Sequence, residues 1–333
     1  MNFVAQYLTQ QGVKKYRIDQ VNQAIYRDFV FDFSQMTTLP QDMREDLQEN
    51  LIFPLEVMKE RVSKDKTQKI LFKANDGKMI ESVLMRHLHE RNTVCVSSQV
   101  GCAMACTFCA TGKMGITRNL TADEIVMQVV YFQKKMANEG QRIRNVVFMG
   151  MGEPLNNYEN VMEAVRVLND QKKCAIGIRH LTISTCGVVP MIEKLIKDPL
   201  KMNLAISLHA PNDKLRSSIM PINDAFPLAE LMKVLRKYQA VTNNRIFYEY
   251  VLLKGVNDSL ENAAELGKLL QGTNAHVNLI PYNPGADDAY EAPANNANRR
   301  FQKAIEEFGV PVTVRVTFGQ DIDGACGQLA LKS

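Results

Sequence analysis

From Thr93 onward, short apolar runs alternate with longer amphipathic ones, and this alternation limits the fold more than any other feature of the chain. Six runs, TVCVSSQ, RNVVFMG, HLTISTCG, MNLAISLHA, RIFYEYVLL and HVNLIPYN, are rich in β-branched and aromatic residues and short enough to be buried strands. Between them TADEIVMQVVYFQKKM, NYENVMEAVRVL, LAELMKVLRKY and SLENAAELGKLL repeat apolar residues every three or four positions, as helices packed on one face do. Thr121 followed by Glu124 is the signature of a capping box at the start of the first helix. Strands separated by helices join in parallel, because a parallel crossover needs a connection long enough to hold a helix. The expectation is an α/β protein built on a partial (β/α)6 TIM-like barrel.

Such a sheet binds ligands at the C-terminal ends of its strands. Ser98, Gly152, Ser184, His209 and Asn283 all fall there. One face thus collects most of the polar signals.

The region before the alternation reads differently. Residues 17–29 and 39–53 carry helical periodicity, and TQKILFKAN and MIESVLMRH flank the turn signal Asn75-Asp76-Gly77 as a hairpin. The expected division is a small helical accessory domain over 1–80 and a catalytic core over 81–333. NPGADDAYEAPANNAN, before the last helix, reads as a lid or a connection.

Of 333 residues, 46% are hydrophobic and 23% charged, enough to bury a full-sized core. The chain has no apolar run of about 18 residues, and MNFVAQYLTQQGVKK lacks the apolar segment of a secretory leader, so a cytoplasmic protein is expected. A net charge of +4 is compatible with a polyanionic partner without requiring one. Lys14, Lys15, Arg17, Lys64, Lys66, Lys69, Arg118 and Asn119 are candidates for phosphate contacts, although scattered basic residues are more often solvated surface.

Three of the seven cysteines, Cys102, Cys106 and Cys109, lie in one short segment. Three thiolates in a compact loop can hold three irons of a cubane and leave the fourth open. The alternative is a zinc loop, which would want a fourth ligand that no nearby cysteine supplies. Gly150-Met-Gly152-Glu153 ends a strand with glycines that admit close backbone approach, as a turn or as a site. By pattern alone, Ser207 and His209 are as readily satisfied polar groups in the barrel mouth, and Cys95 a small buried hydrophobe.

The Cys-x3-Cys-x2-Cys spacing, with Phe108 before the last cysteine and a strand before the first, resembles the radical S-adenosylmethionine (SAM) superfamily. CVSSQVGCAMACTFCATGKMG, FMGMGEPLNNYENV, LTISTCGVVP, ISLHAPND, GVNDS, VNLIPYNP and DIDGACGQL extend the resemblance, over roughly residues 81–329, to the RlmN/Cfr group of RNA adenosine methyltransferases. The resemblance implies a radical SAM-type barrel with a [4Fe-4S] cluster on Cys102, Cys106 and Cys109. It implies SAM held by Gly152, Glu153, Ser184, Ser207, Leu208, His209 and Asn283, and cleaved to a 5′-deoxyadenosyl radical. Cys326 matches the methyl-carrying cysteine, Cys95 the thiol that forms a transient disulfide with it, and Glu81 the proton acceptor. A carboxylate on an alternating strand such as that of Glu81 is otherwise usually solvated. Cys174 and Cys186 match no role and are expected to be packing cysteines.

The implied reaction is methylation of C2 of adenosine 2503 in 23S rRNA and of adenosine 37 in tRNAs. The N-terminal helices resemble the family's RNA-binding accessory domain, the electron donor would be a low-potential protein such as flavodoxin, and the protein is expected to be a monomer. The Cfr-type alternative methylates C8 of the same rRNA adenosine, and Tyr16-Arg17-Ile18-Asp19-Gln20, MREDL, MPIND and FGQDIDGACGQL resemble that branch. A non-catalytic metal-binding RNA module would leave Cys95, Cys326 and GMGE without purpose.

Overall fold

The computed structural model describes residues 3–87, 91–284 and 289–331. Three helices open the chain. α1 (Phe3–Gln10) buries Val4 and Leu8, α2 (Lys15–Tyr26) buries Val21 and Ile25, and α3 (Gln41–Asn50) buries Leu47. The last two occupy the segments read as helical, with α3 stopping at Asn50 because Leu51 turns extended. α1 was not expected.

The anticipated hairpin is the inner part of a three-stranded meander. β1 (Leu55–Val62) pairs antiparallel with β2 (Gln68–Ala74), and β2 with β3 (Met79–Met85). The sequence hides β1 because it is an edge strand in which only Leu55 is buried. The turn forms as read, with Gly77 at φ +81° and the Lys78 amide donating to the Asp76 carboxylate. β3 then pairs antiparallel with β4 (Thr93–Cys95), so the meander continues the main sheet, and residue 80 falls inside β3.

All six expected parallel strands form. After β4 comes a separate two-stranded arm, β5 (Gln99–Cys102) and β6 (Gly115–Asn119), then α4 (Ala122–Asn138), β7 (Asn145–Phe148), α5 (Tyr158–Asn169) and β8 (Leu181–Thr185). α6 (Val189–Lys197), β9 (Asn203–Ser207), α7 (Asp213–Ile219), α8 (Ile222–Ala225), α9 (Leu228–Thr242) and β10 (Ile246–Leu252) follow. α10 (Leu260–Leu270), β11 (Ala275–Pro281), α11 (Asn295–Glu306) and β12 (Val312–Val314) complete the order. The sheet runs β1-β2-β3-β4-β7-β8-β9-β10-β11-β12, parallel from β4 onward and not closed on itself. It is a partial barrel, with β12 an additional parallel strand. Of the segment read as a lid or a connection, residues 285–288 lie outside the described residues, and its end opens α11. Among the described residues, no helix is long and apolar enough to cross a membrane.

The capping box is made: the Glu124 amide donates to Thr121 Oγ1 at 3.2 Å, and the Thr121 amide to Glu124 Oε2 at 2.8 Å. Arg118 joins it, bonding both Glu124 oxygens and both Asp76 oxygens. Arg118 is therefore committed to tying the β5–β6 arm to the β2–β3 turn, not free for a phosphate. Thr121→Ala is expected to cost about 1 kcal/mol, read as a lower urea midpoint with unchanged slope.

Candidate active site

Cys102 ends β5, and the loop to Cys106 and Cys109 returns through a 3-10 turn (Thr111–Met114) into β6. Only glycine fits at 101. Its φ is +78°, and a Cβ there would lie 2.0 Å from the Gly115 carbonyl oxygen. Inside the loop Ala105 is left-handed at φ +51°, the Cys109 amide donates to the Cys106 carbonyl at 3.1 Å, and the Thr107 amide to the Ile219 carbonyl of α7 at 3.0 Å.

The three thiols are partly buried and in no disulfide. Burial pushes Cys102 up to about 11 and Cys106 higher still, with neighbouring sulfurs adding to both. Three thiolates here need a compensating positive charge, which a metal group brings. Three soft thiolate donors in one loop are a ligand set that suits a cubane.

The strand ends supply the floor. Gly152, at φ +101°, packs so tightly on Gln99 that a Cβ would fall 2.5 Å from that side chain. Glu153 is buried and accepts from the Leu155 amide at 2.9 Å and the Cys186 amide at 2.8 Å, one on each oxygen. Burial raises the carboxyl's pKa, opposed by hydrogen bonds from the Cys186 and Leu155 amides and from the Cys186 and Thr185 side chains. Ser184 is the penultimate residue of β8, Ser207 ends β9 with Leu208 and His209 after it, and Asn283 follows β11. The Ser98 hydroxyl beyond β4 is buried with no partner among the described residues, an unspent polar group of the kind a ligand satisfies.

His209 is left-handed at φ +58°. Its Nδ1 accepts from the Val251 amide at 2.9 Å, which puts the ring proton on Nε2, and burial lowers its pKa to about 3, with Arg216 adding to the effect. His209 is therefore a neutral donor, its ring edge-on to Phe108 with centroids 4.7 Å apart.

Arg216 of α7 has no solvent-exposed surface. It donates to the carbonyls of Cys186 (2.6 Å), Leu208 (3.1 Å) and Ser207 (3.3 Å) and to Asn223 Oδ1 (3.0 Å). One guanidinium thus fixes the ends of β8 and β9 to the helix that anchors the cysteine loop. Nothing in DKLRSSI distinguishes it from a surface arginine.

The segment bearing Cys326 folds back over this mouth. The Ala110 amide donates to the Gly327 carbonyl at 2.9 Å, Thr111 Oγ1 to the Leu329 carbonyl at 2.6 Å, and Gln328 to the Pro284 carbonyl at 3.2 Å. Cys326 is exposed at the surface of this segment. Burial raises it to about 11, opposed by Arg315, while Glu249 and Cys109 push it further up. Cys95, at the end of β4, is raised to about 12 by burial and then by the Cys326 sulfur, with Arg315 again opposing. Arg315 is itself held by Glu249 at 3.3 Å, whose other oxygen accepts from Asn278 at 2.9 Å. Glu249, a carboxylate inside the apolar run RIFYEYVLL, was the legible signal for this network.

Glu81 is buried rather than solvated. Its Oε1 pairs with Lys69 Nζ at 2.9 Å, and its Oε2 accepts from the Ala330 and Leu331 amides at 3.0 and 3.2 Å. Lys69 is buried as well and cannot reach a phosphate. Cys174 and Cys186 are buried in the apolar core.

Residues 96–267 match the model of the Radical SAM superfamily, and residues 2–52 that of the ribosomal RNA large subunit methyltransferase N-terminal domain. A probable dual-specificity RNA methyltransferase RlmN of Spiroplasma citri is 45% identical over 98% of this chain and 94% of its own length. The chain belongs to the RlmN family of radical SAM methyltransferases. Its RlmN relative from Geobacillus kaustophilus is 43% identical over 98% of this chain and 90% of its own length. The crystal structure of a radical SAM methyltransferase from Sphaerobacter thermophilus has a TM-score of 0.95 at 46% identity, covering 98% of this chain and 96% of that one. As an RlmN-family enzyme the protein uses a [4Fe-4S] cluster and SAM.

Proposed function

We propose that this enzyme methylates C2 of adenosine in 23S rRNA, and in tRNA, through an S-methylcysteine on Cys326. The observation that carries the reading is the tie between the Cys326 segment and the residues directly after Cys109. It sets a methyl-accepting sulfur beside the thiols that would hold the cluster, with Cys95 as its electrostatic neighbour.

Cys102, Cys106 and Cys109 hold the cluster, and Gly152, Glu153, Ser184, Ser207, Leu208, His209 and Asn283 surround SAM. When bound, SAM would supply the methyl group that Cys326 takes up and, by reductive cleavage at the cluster, the radical chemistry that takes a hydrogen atom from that methyl group. Cys326 accepts the methyl as its thiol proton leaves, helped by the positive charge of Arg315. Once the methylene carbon has bonded to adenine C2, Cys95 attacks the Cys326 sulfur. Before that attack the adduct radical gives up one electron, which the cluster would take back, and the C2 proton, which Glu81 receives. The Cys95 thiol proton then leaves, the S–S bond forms as the S–C bond breaks, and the electron pair goes to the departing carbon, which takes a proton to become the methyl group. A thiol reductant resets the disulfide, and a flavodoxin-type protein supplies the cluster's electron.

The N-terminal helices and the β1–β2 turn meet RNA, with Lys14, Lys15, Arg17, Lys64 and Lys66 toward phosphates; the protein acts as a cytoplasmic monomer. The test is a digest of the purified enzyme, expected to show a methyl increment on the Cys326 peptide, joined to mapping of the methylated carbon in rRNA from a complemented deletion strain. An unmodified Cys326 overturns the carrier role, and a C8 product moves the enzyme to the Cfr branch. Cys95→Ala is expected to accumulate a covalent protein–RNA adduct, visible as a slow band on a denaturing gel. Wild-type turnover by that variant would remove Cys95 from the reaction.

A further inference from the structure

The segment from Asp323 to Leu331 is pinned at both ends to a single buried ion pair. Lys69 Nζ donates to the Asp323 carbonyl at 3.1 Å and pairs with Glu81 Oε1 at 2.9 Å. Glu81 Oε2 takes the Ala330 and Leu331 amides. Lys69 lies opposite Val83 across β2 and β3, which makes Glu81 its diagonal neighbour on the same face, within reach of long side chains. Both side chains are almost fully buried, at 4% and 2% exposure.

A buried lysine and glutamate are costly to desolvate and persist where their hydrogen bonds organise something. Here they organise the backbone on either side of Cys326. Three further ties come from the β1–β2 turn: Asp65 accepts from the Gly319 amide at 2.8 Å, Asp321 accepts from the Ser63 hydroxyl, and Asp321 accepts from the Lys64 amide at 3.2 Å. Those contacts are partly exposed, whereas the Lys69–Glu81 pair is not.

We infer that the Lys69–Glu81 pair is a clasp that positions the Cys326 segment, with Lys69 a positioning residue for methyl transfer. This rests on Cys326 being the methyl carrier. It also ties Glu81's two roles together: a proton taken up by the carboxylate would weaken its hold on Lys69 and on the Ala330 and Leu331 amides, so proton acceptance would loosen the clasp.

The test is hydrogen exchange on the full-length holoenzyme, read at Ala330 and Leu331, beside steady-state RNA methylation. In Lys69→Met those amides are expected to exchange about tenfold or more faster, as loss of a charged anchor allows. The kcat should fall while KM for RNA stays unchanged, and Lys69→Arg should restore both readouts. Because Lys69→Met leaves a lone buried carboxylate, the double variant Lys69→Met/Glu81→Gln repeats the exchange measurement without an unpaired charge. Wild-type exchange in both variants overturns the clasp, and so does a rise in KM for RNA alone. Faster exchange in enzyme whose wild-type form carries no methyl on Cys326 would sink the carrier role and leave the clasp standing as an anchor.

Discussion

Cys326→Ala is expected to reduce RNA methylation to assay background while leaving the fold and SAM binding intact. The segment is held by backbone carbonyls and amides and by Thr111, Gln328, Lys69 and Glu81, none of which needs the sulfur. Truncating one exposed thiol to a methyl group should shift stability by less than about 0.5 kcal/mol. Loss of product with unchanged unfolding and unchanged SAM affinity separates a chemical role from a structural one. Residual turnover above background would mean that the methyl group reaches adenine by another route.

Arg216→Met is expected to have the largest effect on stability, about 3–5 kcal/mol in urea unfolding. The loss leaves three carbonyls and Asn223 without their donor in a region that water does not reach. The damage should extend to cluster loading, because Ile219 on the same helix anchors the Thr107 amide. Iron content after reconstitution should therefore fall with stability. Arg216→Lys keeps the charge but cannot span four acceptors, and should recover only part of either. A variant that unfolds at wild-type urea concentration would show that the four bonds are dispensable.

The six parallel strands were legible because burial on both faces demands apolar runs, and the capping box because Thr121 and Glu124 act within one turn. The edge strand β1 was not. LEVMKERV spends nearly all its side chains on solvent, so no alternation survives. The β5–β6 arm escaped for a related reason: it is set by glycine geometry at 101 and by a register that only the folded chain reveals.

The cysteines and glycine-rich strand end could be read as motifs. The charged groups that organise them could not, since a lone Arg216 or Lys69 looks like surface until the topology buries it. Lys69 was read as a phosphate contact on that basis. Burial of charge is a tertiary fact, and its partners lie as far apart in sequence as Lys69 and Asp323.

The sheet that carries these groups is an arc, ending on a β12 of three residues instead of closing on β4. A closed eight-stranded barrel receives only what passes through its end, and its interior is plugged by its own side chains. An arc has a side entrance. A substrate can offer one nucleotide to the interior while the polymer it belongs to stays outside, so the size of that polymer sets no limit on entry. Discrimination among polymers must then happen on the outer surface, and altering which molecules are chosen need not disturb the cysteine loop at the mouth.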